Sequence, residues 1–168
     1  MRKLTSLLLG FLLLALTQMS HAQDDPLAAE SGPYAALKKA VESGELIMRF
    51  YEASTKRGAT VQLESTGNAV VLTPQASAGN LPYYGNTRVL SSDFDSGSLE
   101  FDGTTERRRV KFNDKKQRVQ ISYSVKGSAD RFSITLTLSA GGSTSMGISS
   151  VNRDRISYRG NYEIKSTQ

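Results

Sequence analysis

The chain has no cysteine and no tryptophan, and its one histidine, His21, stands near the N-terminus. Residues 23–168 therefore carry no imidazole, thiol or indole. A Ser-His-Asp triad, a Cys-His pair and a zinc site of imidazole or thiolate ligands are excluded there. Disulfides are excluded, and so is lipid attachment through an N-terminal cysteine, although an exported compartment would permit disulfides. The catalytic means left are paired carboxylates, Ser-Lys pairs, tyrosine acids and hard metals held by oxygen. A strong charge of one sign is missing as well. Without Arg2 and Lys3 the chain has 19 Lys plus Arg against 16 Asp plus Glu, a net charge of +3. That is too little to argue for nucleic acid.

What is present begins with a leader. Arg2 and Lys3 precede an apolar run, Leu4 to Leu16, that is too short to cross a bilayer comfortably. Ser20-His21-Ala22 puts small residues at the −3 and −1 positions of a cleavage site. Residues 1–22 thus read as a secretory signal peptide cut between Ala22 and Gln23. The expected location is the periplasm or the medium. No second apolar run follows, so a membrane-spanning segment is not expected. The remaining 146 residues are enough for one domain with its own core.

Residues 23–32 (QDDPLAAESG) read as a mobile polar lead-in. Pro33 to Ser43 reads as a short helix: Ser31 or Gly32 precedes it, Pro33 suits its first turn and Gly44 follows. Ala36, Leu37, Ala40 and Val41 are expected on its buried face. Beyond it, strand patterns dominate. RVQISYSVKG places Val119, Ile121, Tyr123 and Val125 on one side, and RFSITLTLSA places Phe132, Ile134, Leu136 and Leu138 on one side. Clean alternation of this kind means antiparallel strands with one wet face. Gly141-Gly142 marks a hairpin turn. Eight or nine such segments predict an all-β domain over residues 33–168. The expected architecture is an antiparallel lipocalin-like barrel with one short N-terminal helix, the alternative being a β-sandwich.

LPYYGN (81–86), GSLEFDG (97–103) and SSVNRDRISYRGNYE (149–163) resemble the layout of a secreted bacterial family, domain-of-unknown-function family 4251. The resemblance covers about residues 34–165. It implies a single domain and carries no activity. Unlike the family's lipoprotein members, this chain has no lipid-acceptor cysteine.

Three places could hold chemistry. In LPYYGN, Tyr83 and Tyr84 could form an aromatic platform at a barrel mouth or plug the barrel end. In NRDRISYRG, Arg153 and Arg155 could bind an anion, with Tyr158 beside them, or Arg153 could tie down its own turn. Period-2 geometry puts Arg107, Arg109 and Lys111 on one strand face, where they could meet an anionic partner or simply face solvent. Asp93, Asp95 and Glu100 surround Gly97, but their spacing does not fit a calcium loop. No metal, cofactor or nucleic acid is implied. The functional expectation is an exported, non-enzymatic binding module for a small apolar or amphipathic ligand. Its alternatives are an envelope-associated domain with a filled core that meets protein or glycan, and a carboxylate-dependent hydrolase.

Overall fold

The computed structural model describes residues 32–64, 66–88, 97–128 and 130–165. The leader, its cleavage point at Ala22 and Gln23, and Asp93 and Asp95 lie outside the described residues.

Helix α1 is Pro33–Ser43, as the capping and turn residues predict. Its buried face is Tyr34, Leu37, Ala40 and Val41. Ala36 is exposed, and Tyr34 takes the place expected of it. Tyr34, Leu37 and Val41 follow the three-four spacing of a helix stripe, whereas Ala36 lies a step outside it. Arg108 donates to the Val41 carbonyl at 2.6 Å and so satisfies one of the open carbonyls of the last turn.

Ten strand segments follow: β1 (Glu45–Thr55), β2 (Thr60–Gln62), β3 (Ala69–Leu72), β4 (Ala76–Pro82), β5 (Ser98–Thr104), β6 (Glu106–Asn113), β7 (Arg118–Lys126), β8 (Arg131–Ser139), β9 (Ser143–Ser149) and β10 (Ile156–Lys165). All pair antiparallel, in the order β5-β4-β3-β1-β10-β9-β8-β7-β6, with β2 also on β1. The two ends of that order are consecutive in sequence. β5 pairs with β4 and β6 pairs with β7, while Phe101 of β5 bridges Gly127 just beyond β7. β5 and β6 are thus one bent strand whose halves serve opposite ends of the sheet. β2 and β3 likewise lie in succession along one side of β1. Counted this way, the sheet is an eight-stranded meander nearly closed into a barrel, which decides for the barrel over the sandwich.

The alternation in β7 and β8 is realised: every second residue from Val119 to Val125 and from Phe132 to Leu138 is buried. β4 is the strand that the sequence hides. Its ASAGNLP composition is poor in strand formers. Its inward Gly79 leaves room that Val70 and Phe101 fill, since a Cβ there would stand 2.7 and 2.8 Å from their side chains. Ser77, also inward, donates to the Val71 carbonyl at 3.2 Å and receives the Tyr123 hydroxyl at 3.0 Å. The pair satisfies two polar groups deep in an apolar core, where each would otherwise cost about 1–3 kcal/mol. Apolar residues face in and Ser, Thr and Arg face out, the reverse of a barrel that faces lipid.

Candidate functional site

Two segments meet at one end of the barrel: 81–88, leaving β4, and 150–155, joining β9 to β10. Their main chains pair. Thr87 bridges Arg153, the Arg88 N–H donates to the Asn152 carbonyl at 2.8 Å, and the Asp154 N–H donates to that of Asn86 at 3.1 Å. Their side chains bind main chain too. The Tyr83 hydroxyl sits 2.8 Å from the Asn86 carbonyl and 3.1 Å from that of Asp154, and its one proton serves both. The Tyr158 hydroxyl donates to the Pro82 carbonyl at 2.7 Å. Arg153 lies over the Tyr83 ring, 5.0 Å from its centroid, and donates to the Ser98 carbonyl at 2.8 Å. Arg88 closes the outside, 3.4 Å from the Asp154 carboxylate.

The local sequence explains this corner. Pro82 fixes its own φ and has no N–H, and the next N–H, that of Tyr83, continues the pairing to the Gly97 carbonyl at 2.9 Å. The Tyr83 ring then folds back over Gly85, where any Cβ would collide with it. Burial pushes the Tyr83 phenol up, the Asp154 charge adds to this and Arg153 opposes it. Burial likewise raises Tyr158 far above the ordinary tyrosine range. Both phenols are therefore held neutral, as donors.

The five candidate ligand residues are divided by this arrangement. Tyr83, Arg153 and Tyr158 come together and are buried, while Tyr84 and Arg155 are exposed. The Arg155 guanidinium lies over Gly147, where a Cβ would strike it.

The basic row is altered. Arg107, Arg109 and Lys111 are all exposed, but the pairing shifts between Glu106 and Arg109, and Arg107 has φ 53°. Two residues, Arg107 and Arg108, stand against one of β7, which is a β-bulge. Glu106, opposite Ser124, takes the outward place expected of Arg107, and it pairs with Arg131. Along the outer face the order is Lys111, Arg109, Glu106.

The family model of the domain of unknown function DUF4251 matches residues 28–162. The chain belongs to this family. Among solved structures it is similar to a DUF4251 family protein from Bacteroides eggerthii DSM 20697, with 19% identity, a TM-score of 0.60, and coverage of 77% of this chain and 86% of that one. At that identity the likeness shows the fold alone. A search of curated proteins finds no match.

In this DUF4251 domain the two segments that carry the family resemblance are each other's hydrogen-bonding partners. LPYYGN supplies the carbonyls of Pro82 and Asn86, and NRDRISY supplies Tyr158 and the Asp154 backbone. The interior is filled by large side chains. Phe101 packs on Phe132 with centroids 5.9 Å apart, and Phe50 on Tyr158 at 5.7 Å. Among the described residues no helix is long and apolar enough to cross a membrane.

Two open grooves lie on the outside of the DUF4251 domain. One of about 550 Å³ runs along the seam between β5 and the end of β7, beside Glu100, Asp102, Glu106 and Lys126. A shallow trough of about 210 Å³ crosses the outer face from Tyr51 to Arg118, with Ser139, Ser143, Ser145 and Arg159 between. Sequence reasoning passed over this trough, because its residues come from five strands. The signal available was the run of Ser and Thr at the outward positions of β8 and β9, with one exposed tyrosine, Tyr51, on β1, two strands from β9.

Proposed function

We propose that this DUF4251 domain is an exported, non-enzymatic binding module that meets a protein or glycan of the cell envelope with its outer surface. The carrying observation is the packing of the barrel interior. Leu37, Met48, Val70, Leu81, Ile121 and Leu136 have 0% exposure, and aromatic pairs fill the spaces between the walls. Interiors packed in this way hold few voids larger than a water, whereas a pocket for a small ligand needs about 300 Å³ or more. This favours the filled-core reading over an apolar ligand inside the barrel. Export is supported by Arg2, Lys3, the apolar run after them and Ser20-His21-Ala22. A non-enzymatic role is supported by the lack of histidine and cysteine in residues 23–168.

The test is native mass spectrometry of the exported protein purified without detergent. The expected result is the mass of the bare polypeptide. A stoichiometric apolar adduct that leaves on denaturation would overturn the reading.

A further inference from the structure

We propose that the trough across the outer face binds an acidic carbohydrate, a sugar chain that carries uronic acid carboxylates. The proposal rests on the reading that the domain binds from its outer surface, and it names the site and the ligand class.

The trough runs across the strands: Tyr51 stands on β1, Arg159 on β10, Ser143 and Ser145 on β9, Ser139 on β8 and Arg118 on β7. Four strand spacings of about 4.8 Å make it about 19 Å long. Its walls are low in the middle, where they are serine and threonine, and tall at the ends, where they are tyrosine and arginine. That form suits an extended chain of small polar units.

The chemistry narrows the occupant. β7, β8, β9 and β10 each have a partner on both sides, so their backbone groups are used in ladders. A peptide cannot add as a strand here, because strand addition needs a free edge. Recognition must come from side chains. Each serine hydroxyl is a donor with two acceptor lone pairs, the inventory that a sugar hydroxyl also presents. Ser139 and Ser143 already lie 2.8 Å apart as one such pair. Tyr51, 44% exposed on an otherwise polar face, offers a ring for stacking and a hydroxyl for orientation. Serine and threonine line the middle of the trough, so its apolar surface is that of short side-chain stems rather than of long aliphatic chains.

Charge selects the acidic class. Arg159 is matched by Glu52 at 3.3 Å. Arg118 makes no ion pair among the described residues. The trough therefore carries one uncompensated guanidinium, whose fork fits a carboxylate through two parallel hydrogen bonds.

The test is titration calorimetry of the whole exported protein with a tetramer of galacturonic acid, beside an uncharged glucose tetramer of equal length. Arg118→Ala and Tyr51→Ala are compared with the parent protein, and each variant's melting temperature is measured. The acidic tetramer should bind, more weakly as salt rises, and the neutral one should not. Each substitution should weaken binding about tenfold, Arg118→Ala through loss of a charged hydrogen bond and Tyr51→Ala through loss of the stacking ring, with the melting temperature unchanged. Equal binding of both tetramers, or no binding of either, would overturn the proposal. Binding that both substitutions leave intact would overturn the trough while keeping the outer-surface reading. A stoichiometric apolar adduct in the native mass spectrum would remove both.

Discussion

The end of the barrel at Tyr83 and Arg153 and the trough at Tyr51 and Arg118 are built from the same two residue types put to opposite uses. At the barrel end, the tyrosine hydroxyls and the guanidinium reach backbone carbonyls, that of Asn86 nearby and those of Asp154, Pro82 and Ser98 in distant segments. In the trough, the tyrosine ring and Arg118 face solvent. A buried polar group satisfied by main chain holds a fold together and has little left for a ligand. An exposed one contributes little to stability and is free to recognise. Residue type alone does not separate the two cases. Burial and bonding partner do.

The strongest way to break this contrast is Tyr83→Ala. It removes the ring under Arg153 and the proton shared by two carbonyls, and should cost about 3–5 kcal/mol in urea unfolding. Tyr51→Ala and Arg118→Ala should stay within about 0.5 kcal/mol of the parent. If all three cost the same, the contrast fails.

Gly85→Ala comes next. Its Cβ collides with the Tyr83 ring, so a loss of about 2 kcal/mol is expected from overpacking. In the Tyr83→Ala background the same change should cost far less, and a double-mutant cycle reads the coupling.

Alkaline pH then sharpens the contrast. Burial pushes the Tyr123 phenol up to about 12, and Tyr158 is raised as well. Folded, each keeps its proton; unfolded, each releases it near pH 10. Their stabilisation is complete below pH 10 and is lost as pH rises towards 12. The loss per tyrosine is at most about 1.4 kcal/mol per pH unit. Urea midpoints measured from pH 9 to 11.5 should fall, and Tyr158→Phe should flatten that fall.

A small effect of opposite sign is expected at Gln117, in the turn between β6 and β7, which has φ 47°. Gln117→Gly should relieve that left-handed strain and stabilise by about 1 kcal/mol or less, since glycine also frees the unfolded chain. Thermal melting checks the sign.

Much of the barrel was legible in the sequence because its signal is periodic. β7 and β8 read correctly residue by residue, since each has one wet and one dry face over nine residues. β4 was not legible, because Gly79 is small on account of Val70 and Phe101, its neighbours in other strands. Alternation puts Arg107 in a straight row because it assumes one residue against one. The bulge depends on the pairing with β7, which the local sequence does not carry. LPYYGN and NRDRISYRG could each be picked out, but their mutual pairing across 71 positions, as between Tyr83 and Asp154, needed three dimensions.

The first strand is the neighbour of the last. Glu45 of β1 pairs with Lys165 of β10, 120 positions later. Hairpins such as β7–β8 can form as soon as they are made, because their partners are close in sequence. The ring cannot shut until the ten residues of β10 are available, and until then β1 and β9 each present an unpaired edge that other chains can join. A chain cut short before Ile156 should therefore be sticky rather than merely weak, and the arrival of β10 becomes the event that makes the molecule safe from its own kind.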